Sequence, residues 1–270
     1  MQKLPASRGL AWLTGSVALL RAQWARLILI GLILQFLMGF TQAGVLGILF
    51  VLAVPALTAG VLQAMFSVEQ GIRPSLFTLF SAFTSPERMM RLFVLGVVMI
   101  AAGTLTAGAM LAGSLETLNP ELLARLESGE VEALALIDPV ALQRIVLSVI
   151  AGVAISGSIG YFAIPLIWFQ GKSTGTAILN GLTGMFRNWL PFLVMGALLV
   201  VVAIPVVIII AVLFSRPGGG SGISAILTLI MLLVMVIYQL LLFGAQYLSF
   251  KEVFGTGQSD TGPESNQLVA

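Results

Sequence analysis

The sequence predicts an all-α, polytopic membrane protein, a six-helix transmembrane bundle with interfacial cytoplasmic helices. Apolar residues make up 59% of the 270 residues and charged residues only 9%, with a mean hydropathy of +1.07. Soluble domains carry about 25% charged residues. The apolar residues also fall into long continuous runs. Such runs are typical of membrane helices, whereas the strands of membrane barrels alternate with period two.

Six apolar runs of 17 to 25 residues follow one another within a single transmembrane domain, 1–254. At 1.5 Å per residue, each run can cross a hydrocarbon core of about 30 Å as a helix. The predicted spans are about 24–40, 45–66, 92–113, 145–169, 190–214 and 224–243. The first run also fits the apolar part of a signal peptide, with 41–43 as a loose cleavage site. The 23 residues that precede it favour a span instead.

The basic residues predict the orientation of these spans. With a cytoplasmic N-terminus, Arg125, Arg144 and Arg216 lie outside and the other ten lysines and arginines lie inside. This distribution obeys the positive-inside rule, so both termini are predicted to be cytoplasmic. The tail 255–270 is polar and rich in Gly, Ser and Pro, and is predicted to be disordered.

The predicted outer loop, 114–144, contains six acidic residues. Helix-start signals occur at 119–121 and again at Asp138-Pro139, just before the fourth span. One interpretation is a helical hairpin that lies on the outer face with a solvated acidic side. The other is a site for a cation or a partner, although no calcium-loop pattern is present.

Two segments, 45–113 and 145–214, are predicted to form an internal repeat with an offset of 100 residues, as at Gly71 and Gly171. Each contains a descending span, a glycine, an amphipathic stretch and an ascending span. The amphipathic stretches, 74–84 and 174–186, are predicted to lie along the inner interface. The candidate lipid-headgroup contacts beside them are Arg73, Arg88, Arg91, Lys172 and Arg187.

Arg187, Asn188 and Trp189 stand directly before the fifth span. They can form a polar site in an apolar pocket, or an interface anchor in which Trp189 lies at headgroup level and Asn188 caps the following helix. The anchor interpretation is favoured, because a charge at the bilayer centre costs about 2.5–3.5 kcal/mol. The stretch around Trp12 is predicted to be a further interfacial helix.

The middle of every predicted span lacks Asp, Glu, Lys and Arg. Small residues such as Gly103 and Ala107 have the spacing of closely packed membrane helices. The neutral polar residues either serve the same packing or line a path for a neutral solute or lipid. The candidates for such a path are Gln35, Gln63, Tyr161 and Gln239. Three prolines inside spans, Pro55, Pro165 and Pro205, can kink helices beside it.

Catalytic chemistry has little support in the sequence. The chain has no histidine and no cysteine, which excludes His-assisted serine, Cys-His and zinc constellations. The three lysines lie at the edges of predicted spans. No metal or cofactor is predicted, and the scattered basic residues give no indication of a nucleic-acid partner.

Two motifs resemble those of an uncharacterised proteobacterial family of six-span inner-membrane proteins. One is Arg8-Gly9-x-x-Trp12-Leu13, and the other is the run FRNWLPF at 186–192. The resemblance covers about 7–250 and implies a bacterial inner-membrane location, but it brings no functional residues with it.

The predicted function is a non-enzymatic scaffold or accessory subunit of an envelope complex. Its expected partners are the lipid bilayer and another inner-membrane protein or a second copy of the chain. The alternative is a transporter or exporter of a neutral or amphipathic solute or lipid.

Overall fold

The computed structural model describes residues 2–42, 44–112, 125, 137–214 and 221–255. Within these residues the chain is helical and contains no strand, so the predicted all-α fold is confirmed. The α-helices are α1 Arg8–Ala22, α2 Trp24–Gly39, α3 Gly44–Glu69, α4 Pro86–Leu111, α5 Pro139–Gln170, α6 Thr174–Arg187, α7 Trp189–Phe214 and α8 Ser221–Phe254. Phe40–Gln42 and Leu76–Thr84 are 3-10 helices.

Four to six helical segments can cross a membrane. The segments Gly47–Glu69, Pro86–Leu111, Pro139–Gln170 and Thr228–Phe254 are each long and apolar enough alone. Two helix pairs qualify only when each pair is taken as one span: α1 with α2, bent by 101°, and α6 with α7, bent by 80°. The chain therefore fits a multi-pass membrane protein, and a bundle of six spans remains a prediction.

Local sequence signals explain several helix ends. Asp138 accepts hydrogen bonds from the backbone amides of Val140 and Ala141 (3.0 and 3.1 Å), which caps α5 at the predicted Asp-Pro start. At the other end of α5, Gly171 has φ +63°, and Gly71 after α3 has φ +72°. Glycine adopts this left-handed backbone without steric cost, so both helices stop where the sequence analysis places their turns.

The helices meet most closely at one end of the bundle. We call the end at which α1 begins and α3, α5 and α8 end the terminal end, and the opposite end the far end. At the terminal end α8 continues to Phe254, beyond the predicted span limit at 243, because its last turns pack against α1 and α5. The largest fully buried side chains of the bundle include Trp12, Leu62, Met65, Phe162, Leu166, Tyr247 and Phe250.

Toward the far end, the surfaces of α4, α5 and α7 become more exposed. Helices α4 and α5 stay together through a close backbone approach, in which a Cβ built on Gly103 would lie 3.1 Å from the carbonyl oxygen of Gly152. Ala107 lies on the same seam, 3.2 Å from a Cβ built on Gly152, as its predicted packing role requires. Away from this seam the pair is open, with Leu105 73% and Val153 67% exposed. Most described side chains of α7 beyond Leu199 are also exposed.

The two predicted interfacial stretches form short helices that do not continue a span in a straight line. The first is the 3-10 helix Leu76–Thr84, which packs on α3 so closely that a Cβ on Gly60 would overlap the carbonyl oxygen of Leu79. The second, α6, packs on α5, where a Cβ on Gly181 would lie 3.2 Å from the backbone nitrogen of Ala163. The predicted outer-loop helix that begins at 119–121, apart from Arg125, and the tail after Gly255 lie outside the described residues.

Candidate functional site

Gln63 and Tyr161, two of the four predicted path residues, make separate contacts between helices. The indole nitrogen of Trp168 on α5 donates a hydrogen bond to Oε1 of Gln63 on α3 (2.9 Å). The hydroxyl of Tyr161 on α5 lies 3.1 Å from Oγ of Ser249 on α8. Nε2 of Gln246 donates to the Tyr161 carbonyl oxygen (2.6 Å), which ties α8 to the same turn of α5. Both side chains therefore join neighbouring helices through hydrogen bonds.

Gln35 on α2 and Gln239 on α8 are half-buried. Within the described part of the chain, neither amide side chain makes a hydrogen bond to the protein. The contacts of Gln63 and Tyr161 do not include them. The structure thus does not bring the four residues together at one shared contact, and a path lined by them remains a prediction.

The five candidate headgroup residues divide into two groups. Arg73, Lys172 and Arg187 are exposed at the terminal end. Arg88 and Arg91, at the start of α4, are half-buried and turn toward the end of α5. Only the first group is free to meet a lipid headgroup without giving up a protein contact.

Arg88 and Arg91 cap the C-terminus of α5. Nη1 of Arg88 donates to the carbonyl oxygen of Trp168 (2.9 Å), and its guanidinium lies 5.4 Å from the centre of the Trp168 ring. Arg91 donates to the carbonyl oxygen of Gly171 and forms an ion pair with Glu87. The last carbonyls of a helix lack partners within the helix and carry partial negative charge, so two arginines stabilise this end. The capping role depends on packing between helices about 80 residues apart, and sequence analysis missed it.

Asn188 is the single non-helical residue between α6 and α7, and it is buried. Its side-chain oxygen accepts a hydrogen bond from the amide of Leu4 (2.8 Å), and its Nδ2 donates to the carbonyl oxygens of Gln2 and Gly184 (3.0 Å each). The side chain therefore holds the N-terminal segment against the junction of α6 and α7. The predicted side-chain cap of α7 is not formed. Only the Asn188 carbonyl oxygen meets that helix, at 3.5 Å from the Phe192 amide.

Glu252, near the end of α8, connects that helix to α1. Nε of Arg8 lies 2.6 Å from Oε1 of Glu252, and the indole nitrogen of Trp12 donates to Oε2 (2.7 Å). Gly9 lets α1 approach α7, because a Cβ there would overlap the carbonyl oxygen of Pro191. Trp12 is thus buried inside the bundle, and the face of α1 that carries it does not meet lipid. These contacts give a structural role to the residues of the Arg-Gly-x-x-Trp motif.

Glu69 makes the corresponding connection between α3 and α8. Its carboxylate accepts a hydrogen bond from the hydroxyl of Tyr247 (2.5 Å) and pairs with Nζ of Lys251 (2.8 Å). Each of the two acids thus meets one basic group and one aromatic donor. The signal for these sites was present in the sequence, since acids directly beside apolar spans need partners, but the partners could not be identified without the fold.

The polar contacts surround a group of packed aromatic rings. The rings lie 5.0–6.5 Å apart between centroids, in edge-on, tilted or stacked arrangements. The members are Trp12, Phe66, Tyr161, Phe162, Phe169, Phe192, Tyr247, Phe250 and Phe254. Aromatic pairs of this geometry contribute about 0.5–1.5 kcal/mol beyond area burial, so the terminal end is held by ring packing as well as by polar contacts.

The chemistry of this end is that of a joint between helices. In the part of the chain that the structure describes, no group of three His, Cys, Asp or Glu side chains could hold a metal ion. Glu69 and Glu252 each contact a basic residue and an aromatic donor on another helix or on the N-terminal helix. Glu87 pairs with an arginine one turn further along α4. Comparison of the chain with protein-family models, with curated proteins and with solved structures gives no match, so the residues themselves carry the functional argument.

Proposed function

We propose that the protein is a non-enzymatic integral membrane protein that acts as a scaffold or accessory subunit of an envelope complex. One observation carries the proposal: the polar groups of the terminal end are used to join helices, while the far ends of α4, α5 and α7 present apolar surface. A bundle whose helices are joined at the terminal end and expose apolar surface at the far end is suited to packing against other membrane helices. The bacterial inner membrane, with both termini cytoplasmic, is the proposed location.

The far half of the α4–α5 pair supplies the proposed docking surface. Its seam is occupied by Gly103 and Gly152, so each helix retains an outward face that no described element covers. In a bilayer such a face meets lipid or another membrane helix. Association there depends on van der Waals packing, which small residues such as Gly108 and Gly157 favour because they let helix backbones approach closely.

Photo-crosslinking in intact membranes tests the scaffold. A photoreactive amino acid at position 105 or 153 should give discrete adducts with another membrane protein. The matched control is position 95, since Leu95 lies on α4 but is fully buried. Crosslinks only to lipid at 105 and 153, together with repeated recovery of the protein alone in mild detergent, would contradict the scaffold.

A carrier of a neutral or amphipathic solute or lipid is the alternative. It is favoured by Gln35 and Gln239, because half-buried amides without hydrogen bonds within the described residues are available to a polar ligand. The test is lipid scrambling or solute flux in reconstituted vesicles. A carrier should lose activity in a Gln35→Leu, Gln239→Leu variant that folds normally. No activity in the wild-type protein would remove this alternative.

Reporter fusions test the proposed orientation. A fusion at residue 128 should report the outer side and a fusion at residue 260 the cytoplasm. Both positions lie outside the described residues, in the predicted outer loop and tail. The reverse result at either position would overturn the topology without affecting the described fold.

A further inference from the structure

Two junctions at the terminal end have the same construction. Helix α1 turns into α2 at Gln23, and α6 turns into α7 at Asn188, each through one non-helical residue with a side-chain amide. The bends are 101° and 80°. A tryptophan follows the turn in both cases, and Trp24 and Trp189 are 64% and 57% exposed. We call these junctions the two elbows.

The elbows lie in a region of uncompensated positive charge. The structure describes three acidic residues at this end, Glu69, Glu87 and Glu252, and each is already paired with a basic residue. In contrast, six exposed basic residues have no acidic partner among the described residues: Lys3, Arg21, Arg26, Arg73, Lys172 and Arg187. Three of the six lie within three residues of Gln23 or Asn188 in the sequence: Arg21, Arg26 and Arg187.

Exposed apolar side chains accompany these arginines. Phe186, Trp189 and Leu190 surround Arg187 in sequence, and Trp24 lies between Arg21 and Arg26. Tryptophan is enriched at the headgroup level of a bilayer, and an adjacent arginine can extend to the phosphate layer. An anionic surface is the partner that matches both the charge and the apolar side chains.

We propose that the two elbows bind anionic phospholipid headgroups through Arg21, Arg26 and Arg187. Arg88 and Arg91 are excluded from this role, since both are committed to the end of α5. The inference goes beyond the scaffold, because the lipid contact is made at the terminal end and the proposed protein contact at the far end.

Tryptophan quenching by brominated lipid tests the proposal. The protein is reconstituted in mixed phosphatidylcholine and phosphatidylglycerol vesicles in which one lipid at a time is brominated. Trp24 and Trp189 report the lipids at the elbows, since Trp12 and Trp168 are buried. The wild-type protein should prefer phosphatidylglycerol several-fold. The preference should fall with each arginine replaced and approach equal quenching by the two lipids in the triple variant Arg21→Gln, Arg26→Gln, Arg187→Gln.

Two further variants complete the test. Arg144→Gln removes an exposed arginine near the start of α5, at the far end, and should leave the preference unchanged. Replacement of the three elbow arginines by lysine keeps the charge and should retain most of the preference. Equal quenching by the two lipids in the wild-type protein would overturn the proposal. An undiminished preference in the triple glutamine variant, or a comparable loss in Arg144→Gln, would also overturn it.

Discussion

The two ends of the bundle are built on different principles. At the terminal end, helices are joined by ion pairs, by hydrogen bonds from aromatic donors and by packed rings, as around Glu252 and Glu69. At the far end, α4 and α5 share a seam of small residues, and most of the remaining described surface of α4, α5 and α7 is exposed and apolar. The first end specifies which helices meet, whereas the second leaves its helix surfaces to the surrounding membrane.

The difference has a physical cause. In a bilayer, lipid tails are as apolar as leucine, so burial of apolar surface between helices adds little. Close packing and polar contacts must then determine which helices associate. The structure has polar contacts and close packing together at the terminal end, whereas α4 and α5 are joined at the far end by the glycine seam. Substitutions should show the contrast directly.

The largest effect is expected for truncation of a buried leucine. Leu95→Ala on α4 removes a fully buried side chain in the half of that helix nearer the terminal end. The cavity should lower the free energy of unfolding by about 2–3 kcal/mol. Leu105→Ala on the same helix, at a 73% exposed site, should change it by less than about 0.5 kcal/mol. Unfolding in mixed micelles, followed by circular dichroism, measures both, and equal losses would show that the far end is packed after all.

A similar contrast is expected for two glycines. Gly60→Ala places a methyl group against the backbone of the 3-10 helix Leu76–Thr84, which must move, at a cost of about 1–3 kcal/mol. Gly108→Ala, near the end of α4, meets open space and should stabilise the helix by about 0.5–1 kcal/mol. The same unfolding measurement applies. A neutral Gly60→Ala would mean that the 3-10 helix is not held against α3.

The connection between α1 and α8 should depend on one carboxylate. Glu252→Ala leaves the buried indole N–H of Trp12 without its acceptor and Arg8 without its ionic partner. The expected loss is about 1–2 kcal/mol. Glu252→Gln keeps an acceptor oxygen and should lose less. If the two variants are equally stable, the hydrogen bond from Trp12 does not contribute.

The smallest effect should be local to the N-terminal segment. Asn188→Ala removes the acceptor of the Leu4 amide, with a loss of about 1 kcal/mol and faster hydrogen exchange at Leu4. Asn180→Ala, at a half-buried site on α6, should leave that exchange rate unchanged. Mass spectrometry of peptides from residues 2–7 provides the measurement. Unaltered exchange in Asn188→Ala would argue against the role of its side chain.

The parts of the fold that depend on local chemistry could be predicted. Asp138-Pro139 starts a helix because an aspartate side chain can accept from the next amides, and this start is confirmed. The long apolar runs predicted membrane helices because the length and composition of each run are also local properties of the sequence. The two short amphipathic stretches were also found as helices. The first is a 3-10 helix of nine residues, longer than most, and its first turn is capped by Ser75.

The contacts of the terminal end could not be predicted in the same way. Arg88 meets Trp168 only because α4 and α5 are antiparallel with one particular register, which the apolar pattern does not encode. Asn188 has the residue type of a helix cap, yet its amide finds partners 184 and 186 residues away in the chain. The sequence predicted a lipid headgroup as the partner of Arg88 and the cap of α7 as the role of Asn188. Tertiary packing gives both side chains other partners within the protein.

The pairing of α1 with α8 has a consequence for biogenesis. Trp12 and Glu252 are separated by 240 residues, and Ser16 donates to the carbonyl oxygen of Leu241 (2.7 Å). During synthesis, α1 emerges from the ribosome long before its partner, at about 5–20 residues per second. The residues of α1 that contact α7, such as Gly9, can pack as soon as α7 is made. The face that meets α8 must remain uncovered, or be held by the insertion machinery, until α8 is made. The packing of α1 is thus complete only after α8 has been made, and a chain stalled before α8 leaves the face of α1 that carries Trp12 and Ser16 exposed to quality control.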